Sequence, residues 1–100
     1  MNTLEIAARG THLSSRSTGR ELRGQLIRLV ERDGEVQLDF AGVQTVSHSF
    51  ADELLGVLIQ RLGEDWFREH VRVVNHTPAV RLAVLDAIHL RLTAPPREAA

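Results

Sequence analysis

The sequence predicts a single α/β domain, and three observations predict it. Two short period-two runs, residues 36–40 and 71–75, each lead through a turn into a longer segment with apolar residues at helical spacing. The whole chain reads strand, helix, strand, helix, strand, helix, and a crossover through the intervening helix makes the last two strands parallel. One hundred residues, 43% hydrophobic and 25% charged, fill one core and leave little for a second. The domain is placed at 1–94. Residues 95–100, opened by Pro95-Pro96, read as a flexible tail.

The elements follow in order. Leu4-Glu5-Ile6-Ala7 alternates weakly and reads as a first strand. Residues 10–17 are polar and turn-like. Thr18 opens a helix, with Glu21 at capping-box spacing and Leu22, Leu26, Leu29 and Val30 as its apolar stripe. Asp33-Gly34 is a turn. In the second strand Val36, Leu38 and Phe40 share one face. Ser49 is the predicted cap of the next helix, with Asp52 three residues on. Ala51, Leu54, Leu55, Leu58, Ile59 and Leu62 form its broad apolar face, with Asp52, Glu53 and Gly56 mostly opposite. Gly63 ends it, and Trp66 and Phe67 cover an edge of the core. Val71-Arg72-Val73-Val74-Asn75 is the third strand. Thr77 caps the last helix and Pro78 occupies its first turn. Val80, Ala83, Val84, Ala87 and Ile88 form its stripe, and Leu82 and Leu85 widen it enough for cover on two sides. Residues 90–93 fit either a helical extension or an edge strand.

Composition narrows the chemistry. The absence of cysteine excludes disulfides, thiolate metal sites and a cysteine nucleophile, and fits a reducing compartment. All twelve basic residues are arginine, so every basic side chain can make planar, bidentate pairs. Twelve cations against thirteen acids leave a net charge of −1, without the basic field of a nucleic-acid binder. No apolar run spans a membrane and the N-terminus lacks signal-peptide features, so a cytoplasmic location is expected. His12, His48, His70, His76 and His89 lack zinc-ligand spacing, and no metal or other cofactor is expected. Ser47-His48-Ser49 contains serine and histidine but no nucleophile elbow, which argues against a hydrolase.

Sites in parallel α/β folds gather where strands end and helices begin. Here those joints hold Asp39, Ser47, His48, Ser49, Phe50 and Asp52 on one side, and Asn75 and Thr77 on the other. Asp39 ends a strand where an unpaired buried carboxylate would be costly, so it needs hydrogen bonds. Arg16 or Arg20 would supply them. Arg16 and Arg20 could also hold an anion near the first helix. Phe50 is either a core anchor or an exposed partner contact.

Val36-Gln37-Leu38-Asp39-Phe40-Ala41-Gly42-Val43, followed by Val46-Ser47-His48-Ser49-Phe50-Ala51-Asp52-Glu53-Leu54, resembles a STAS-like bacterial family of unknown function, distantly similar to anti-sigma factor antagonists. Leu13-Ser14-Ser15-Arg16-Ser17-Thr18-Gly19-Arg20 and Val74-Asn75 extend the resemblance to roughly residues 10–80. It implies a mixed sheet with packed helices. It also implies a noncatalytic regulatory role, in which a serine at the strand-to-helix joint is phosphorylated by a histidine-kinase-like ATPase. The matching serine is Ser49, with Ser47 as rival. The antagonists' Asp-Ser-Ser-Gly-like run is replaced by Ser47-His48-Ser49-Phe50, without the acid and with Phe for Gly.

The expected function is therefore docking to a protein partner, a histidine-kinase-like ATPase or an anti-sigma factor, with no role for nucleic acid or membrane. Asp39, His48, Phe50, Asp52, Asn75 and Thr77 form the expected partner or ligand surface. The alternatives are a small-ligand or nucleotide-sensing module, and an accessory subunit of an enzyme.

Overall fold

The structure is a computed structural model that describes residues 2–93; the expected boundary at 94 and the tail lie outside the described residues. Strand β1 (Asn2–Glu5) runs into a single 3-10 turn at Ile6–Arg9. The short β2 (His12–Leu13) follows, then α1 (Arg16–Asp33) and β3 (Val36–Asp39). Beyond β4 (Thr45–Val46) the chain is helical through α2 (His48–Ala51), a widened π-helical turn at Asp52–Gly56, and α3 (Val57–Leu62). Helix α4 (Glu64–His70), β5 (Val71–Val74) and α5 (Pro78–Thr93) complete the order.

The strands form two small sheets, β1-β3-β5 and β2-β4. Both are parallel throughout, where the family resemblance implied a mixed sheet. The predicted parallel pairing of β3 with β5 sets Leu38 opposite Val73 and Asp39 opposite Val74. Val36, Leu38 and Phe40 are fully buried, as their alternation required. Ile6, Leu22, Leu26, Phe50, Leu54, Leu55, Leu58 and Val80 join them in one core, with Trp66 and Phe67 packed against its edge.

Several expectations change or are decided. The first strand is Asn2–Glu5 and not residues 4–7, since Ile6 and Ala7 enter the 3-10 turn that puts Ile6 in the core. Helix α1 begins two residues before Thr18, because Ser15 supplies the cap: its hydroxyl accepts from the Thr18 amide at 3.3 Å. Glu21, released from a capping box, pairs with Arg9 instead. Helix α4 is an addition. Gly63, at φ 94°, turns the chain; Glu64 and Asp65 then open a helix with Arg68 in its last turn, charges placed to suit its dipole. Residues 90–93 are helical and extend α5. Among the described residues no helix is long and apolar enough to cross a membrane.

Candidate functional site

The loop between β3 and α2 is fastened along its length. The Val43 amide donates to the Phe40 carbonyl at 2.9 Å, and the Gln44 and Ser47 amides donate to Thr11 and Leu13 carbonyls, each at 2.8 Å. Thr77 donates its hydroxyl to the Gln44 carbonyl at 3.0 Å while accepting from the Val80 amide at 3.1 Å. The same threonine thus caps α5, as predicted, and ties the loop to it.

The serine that caps α2 is Ser47, not Ser49. Ser47 Oγ accepts from the Phe50 amide at 3.0 Å and donates to the Ser14 carbonyl at 3.0 Å. The helix starts two residues earlier than the sequence suggested, because β4 delivers Ser47 in an extended conformation (φ −77°, ψ 163°), the geometry of a cap. Ser49 then falls inside the first turn. It is half-buried, and its hydroxyl takes no hydrogen bond among the described residues. His48, between the two serines, is exposed.

Asp39 and Asn75 meet at the carboxyl ends of β3 and β5. Asn75 Nδ2 donates to Asp39 Oδ1 at 3.0 Å, and the Ala41 amide donates to the same oxygen at 2.9 Å. The Asn75 bond, then the Ala41 amide, hold the Asp39 carboxyl below its ordinary pKa. Asn75 achieves this from a left-handed backbone conformation (φ 60°), which asparagine tolerates better than most residues. The arginine partners expected for Asp39 are engaged elsewhere.

Those arginines serve a charge cluster on the π-helical turn. Asp52 is 5% exposed. Arg91 grips it through Nε and Nη2, both at 2.7 Å, and Arg16 adds a bond at 2.9 Å. The neighbouring Glu53 takes Arg23 at 3.0 Å and Arg16 at 3.2 Å, with Arg20 at 3.9 Å. Arg23 also donates to the Glu53 carbonyl within the widened turn. The bond from Arg91 outweighs burial and, with Arg16, holds Asp52 at a pKa of about 2. Burial pushes the Glu53 carboxyl up, but Arg23 and Arg16 together bring it below its usual range. The Arg16 and Arg91 guanidiniums are held more firmly charged by Asp52 in return. Gly19 lets α1 approach this turn: a Cβ there would lie 2.9 Å from the Phe50 carbonyl oxygen.

The predicted surface therefore divides. Asp39 and Asn75 meet, Thr77 and Ser47 anchor the adjoining loop, and Ser49 and His48 sit in the first turn of α2. Phe50 is fully buried, which makes it the core anchor and removes it as a partner contact. Its inward side chain also means that phenylalanine in place of glycine adds no bulk to the exposed side of the turn. Asp52 is likewise interior, neutralised by Arg91 and Arg16. Arg16 and Arg20 face Glu53, so the cations proposed for an outside anion are matched, wholly or in part, from within. Arg23 and Arg91, both central to the cluster, were not singled out from the sequence. Among the described residues no group of three or more His, Asp or Glu side chains could hold a metal ion.

The family model for a STAS-like domain of unknown function (DUF4325) matches residues 18–81. No curated protein and no solved structure matches the chain.

Proposed function

Since the chain belongs to the STAS-like domain family of unknown function, we propose that it is a noncatalytic regulatory domain that docks reversibly onto a protein partner through the joint at the start of α2. The partner class is a histidine-kinase-like ATPase or an anti-sigma factor, and Ser49 is the phosphoacceptor. The division of labour between the two serines carries this reading. Ser47 is committed to the cap and to Ser14, whereas Ser49 presents a hydroxyl unengaged among the described residues, on a turn that Ser47 fixes. Transfer of the γ-phosphoryl group of ATP to Ser49 Oγ, with the bond to ADP breaking and the hydroxyl proton released to solvent, would place nearly two negative charges in the first turn of the helix. That position favours anions. The acids nearest in sequence, Asp52 and Glu53, are matched by Arg91, Arg16 and Arg23, which lowers the repulsion a phosphate would meet. The added charge would release the partner.

Capture of partners from native lysate, followed by ATP-dependent phosphosite mapping, tests the proposal. Ser49→Ala is expected to abolish phosphorylation and leave stability within about 0.5 kcal/mol. Ser47→Ala is expected to cost about 1 kcal/mol through the lost cap and to leave Ser49 phosphorylation in place. A stable, active complex with an ATPase in which neither serine is ever modified would refute the switch. Specific retention of a nucleotide by the isolated chain would favour the ligand-sensing alternative.

A further inference from the structure

We propose that the outer face of α5 is a docking surface for a second copy of this chain, the two helices lying side by side in parallel. Val80, Val84, Ala87 and Arg91 point this helix's inner face at the core and at Asp52. On the opposite face Leu82, Leu85 and Leu92 are 62%, 50% and 45% exposed. With His89 they are spaced three, four and three residues apart, the seam spacing of paired helices, with one polar position among the leucines. The sequence marked this helix as wide enough for cover on two sides, and the described residues cover one.

Charge selects both the occupant and its direction. Arg81 borders the leucine stripe on one side and Asp86 on the other; both are exposed. Neither has an ion-pair partner among the described residues. In a parallel two-fold pair the Arg81 side of one helix meets the Asp86 side of the other. The five-residue offset is the one at which flanking charges pair across a parallel seam, and symmetry makes the contact twice. Antiparallel packing would set each edge against its own like-charged copy. A groove of about 360 Å³ continues the apolar surface on the Arg81 side, lined by Phe67, Val73, Val84, Leu85 and Ile88. Leu90, 54% exposed and on the Asp86 side, is placed to reach the groove of the other copy.

The test is sedimentation of the full chain across a concentration series. A reversible dimer is expected. Leu82→Glu combined with Leu85→Glu should give a monomer with an unchanged circular dichroism spectrum. Arg81→Glu alone should weaken association about tenfold, and adding Asp86→Arg should restore it. Since the chain has no cysteine, Leu92→Cys should form a disulfide with its own copy on oxidation. A monomer up to about 1 mM overturns the proposal. So does a dimer indifferent to the leucine substitutions, or cross-linking only between Leu82→Cys and Leu92→Cys chains in a mixture, the antiparallel result.

Discussion

Replacing Asp52 by asparagine removes one charge from the π-helical turn and keeps the shape of the side chain. The carboxyl is held at about 2 against an ordinary 3.8. At about 1.36 kcal/mol per pH unit, that difference corresponds to about 2–3 kcal/mol of native-state stability. The side chain is only 7% exposed, so solvent screening takes little from this figure. Its sign is fixed by the direction of the shift. A carboxyl whose pKa is depressed on folding stabilises the native state fully above about pH 4, and the contribution drains away as pH falls through 2. Asp52→Asn should therefore destabilise the protein by about 2–3 kcal/mol or more at neutral pH, since Arg91 and Arg16 lose their counter-charge in a partly buried place. The gap from the native protein should shrink by about 2 kcal/mol between about pH 4 and pH 2, with the remainder lost below pH 2. Urea unfolding of both proteins at matched pH values measures it. A gap of the same size at pH 7 and pH 2, or none at neutral pH, would refute the assignment of Asp52 as the charged centre of the cluster.

Three further outcomes follow from the packing. Gly19→Val should destabilise by about 1–3 kcal/mol, because the Phe50 carbonyl and Glu53 Cβ stand within 3.0 Å of the new Cβ; thermal melts read it directly. Phe50→Ala should cost about 3–5 kcal/mol in chemical denaturation, the loss of a fully buried ring rather than of a contact site. Asn75→Ala should raise the pKa of Asp39 toward its ordinary value, since the Asn75 amide is the largest cause of its depression. A carbon-detected NMR titration of Asp39 would follow the change, and an unmoved midpoint would show that the Ala41 amide alone sustains it.

The alternation at 36–40, the Thr77-Pro78 helix start and the stripe through Val80, Val84 and Ala87 were legible because each is a local pattern with one physical solution. The start of α2 was misread by two residues for a related reason. Ser47 and Ser49 are equally good cap residues in isolation, and the choice is made by β4, which pairs with β2 from far upstream in the chain. Asp39 was correctly marked as needing partners, but the partner came from the end of β5, through a strand register that the sequence does not display. The charge cluster leaves a trace in the sequence. Arg91 continues the spacing of Val80, Val84 and Ala87, and Asp52 lies three and seven residues before Leu55 and Ile59. A charged residue in each of two apolar stripes is the signature of a pair that meets inside. Nothing local shows that they meet each other, since 39 residues separate them.

The same pair bears on what the smallest autonomous unit can be. The family match runs from 18 to 81, and both counter-ions of Asp52, Arg16 and Arg91, lie outside it. A fragment cut to that span would keep the acid and lose the bases, leaving a nearly buried carboxylate with nothing opposite it. During synthesis the growing chain, with Arg16 already made, would still leave Asp52 without its strongest partner until Arg91 emerged. The most conspicuous stretch of sequence and the unit able to stand alone are thus different lengths of chain, and the difference comes down to two arginines.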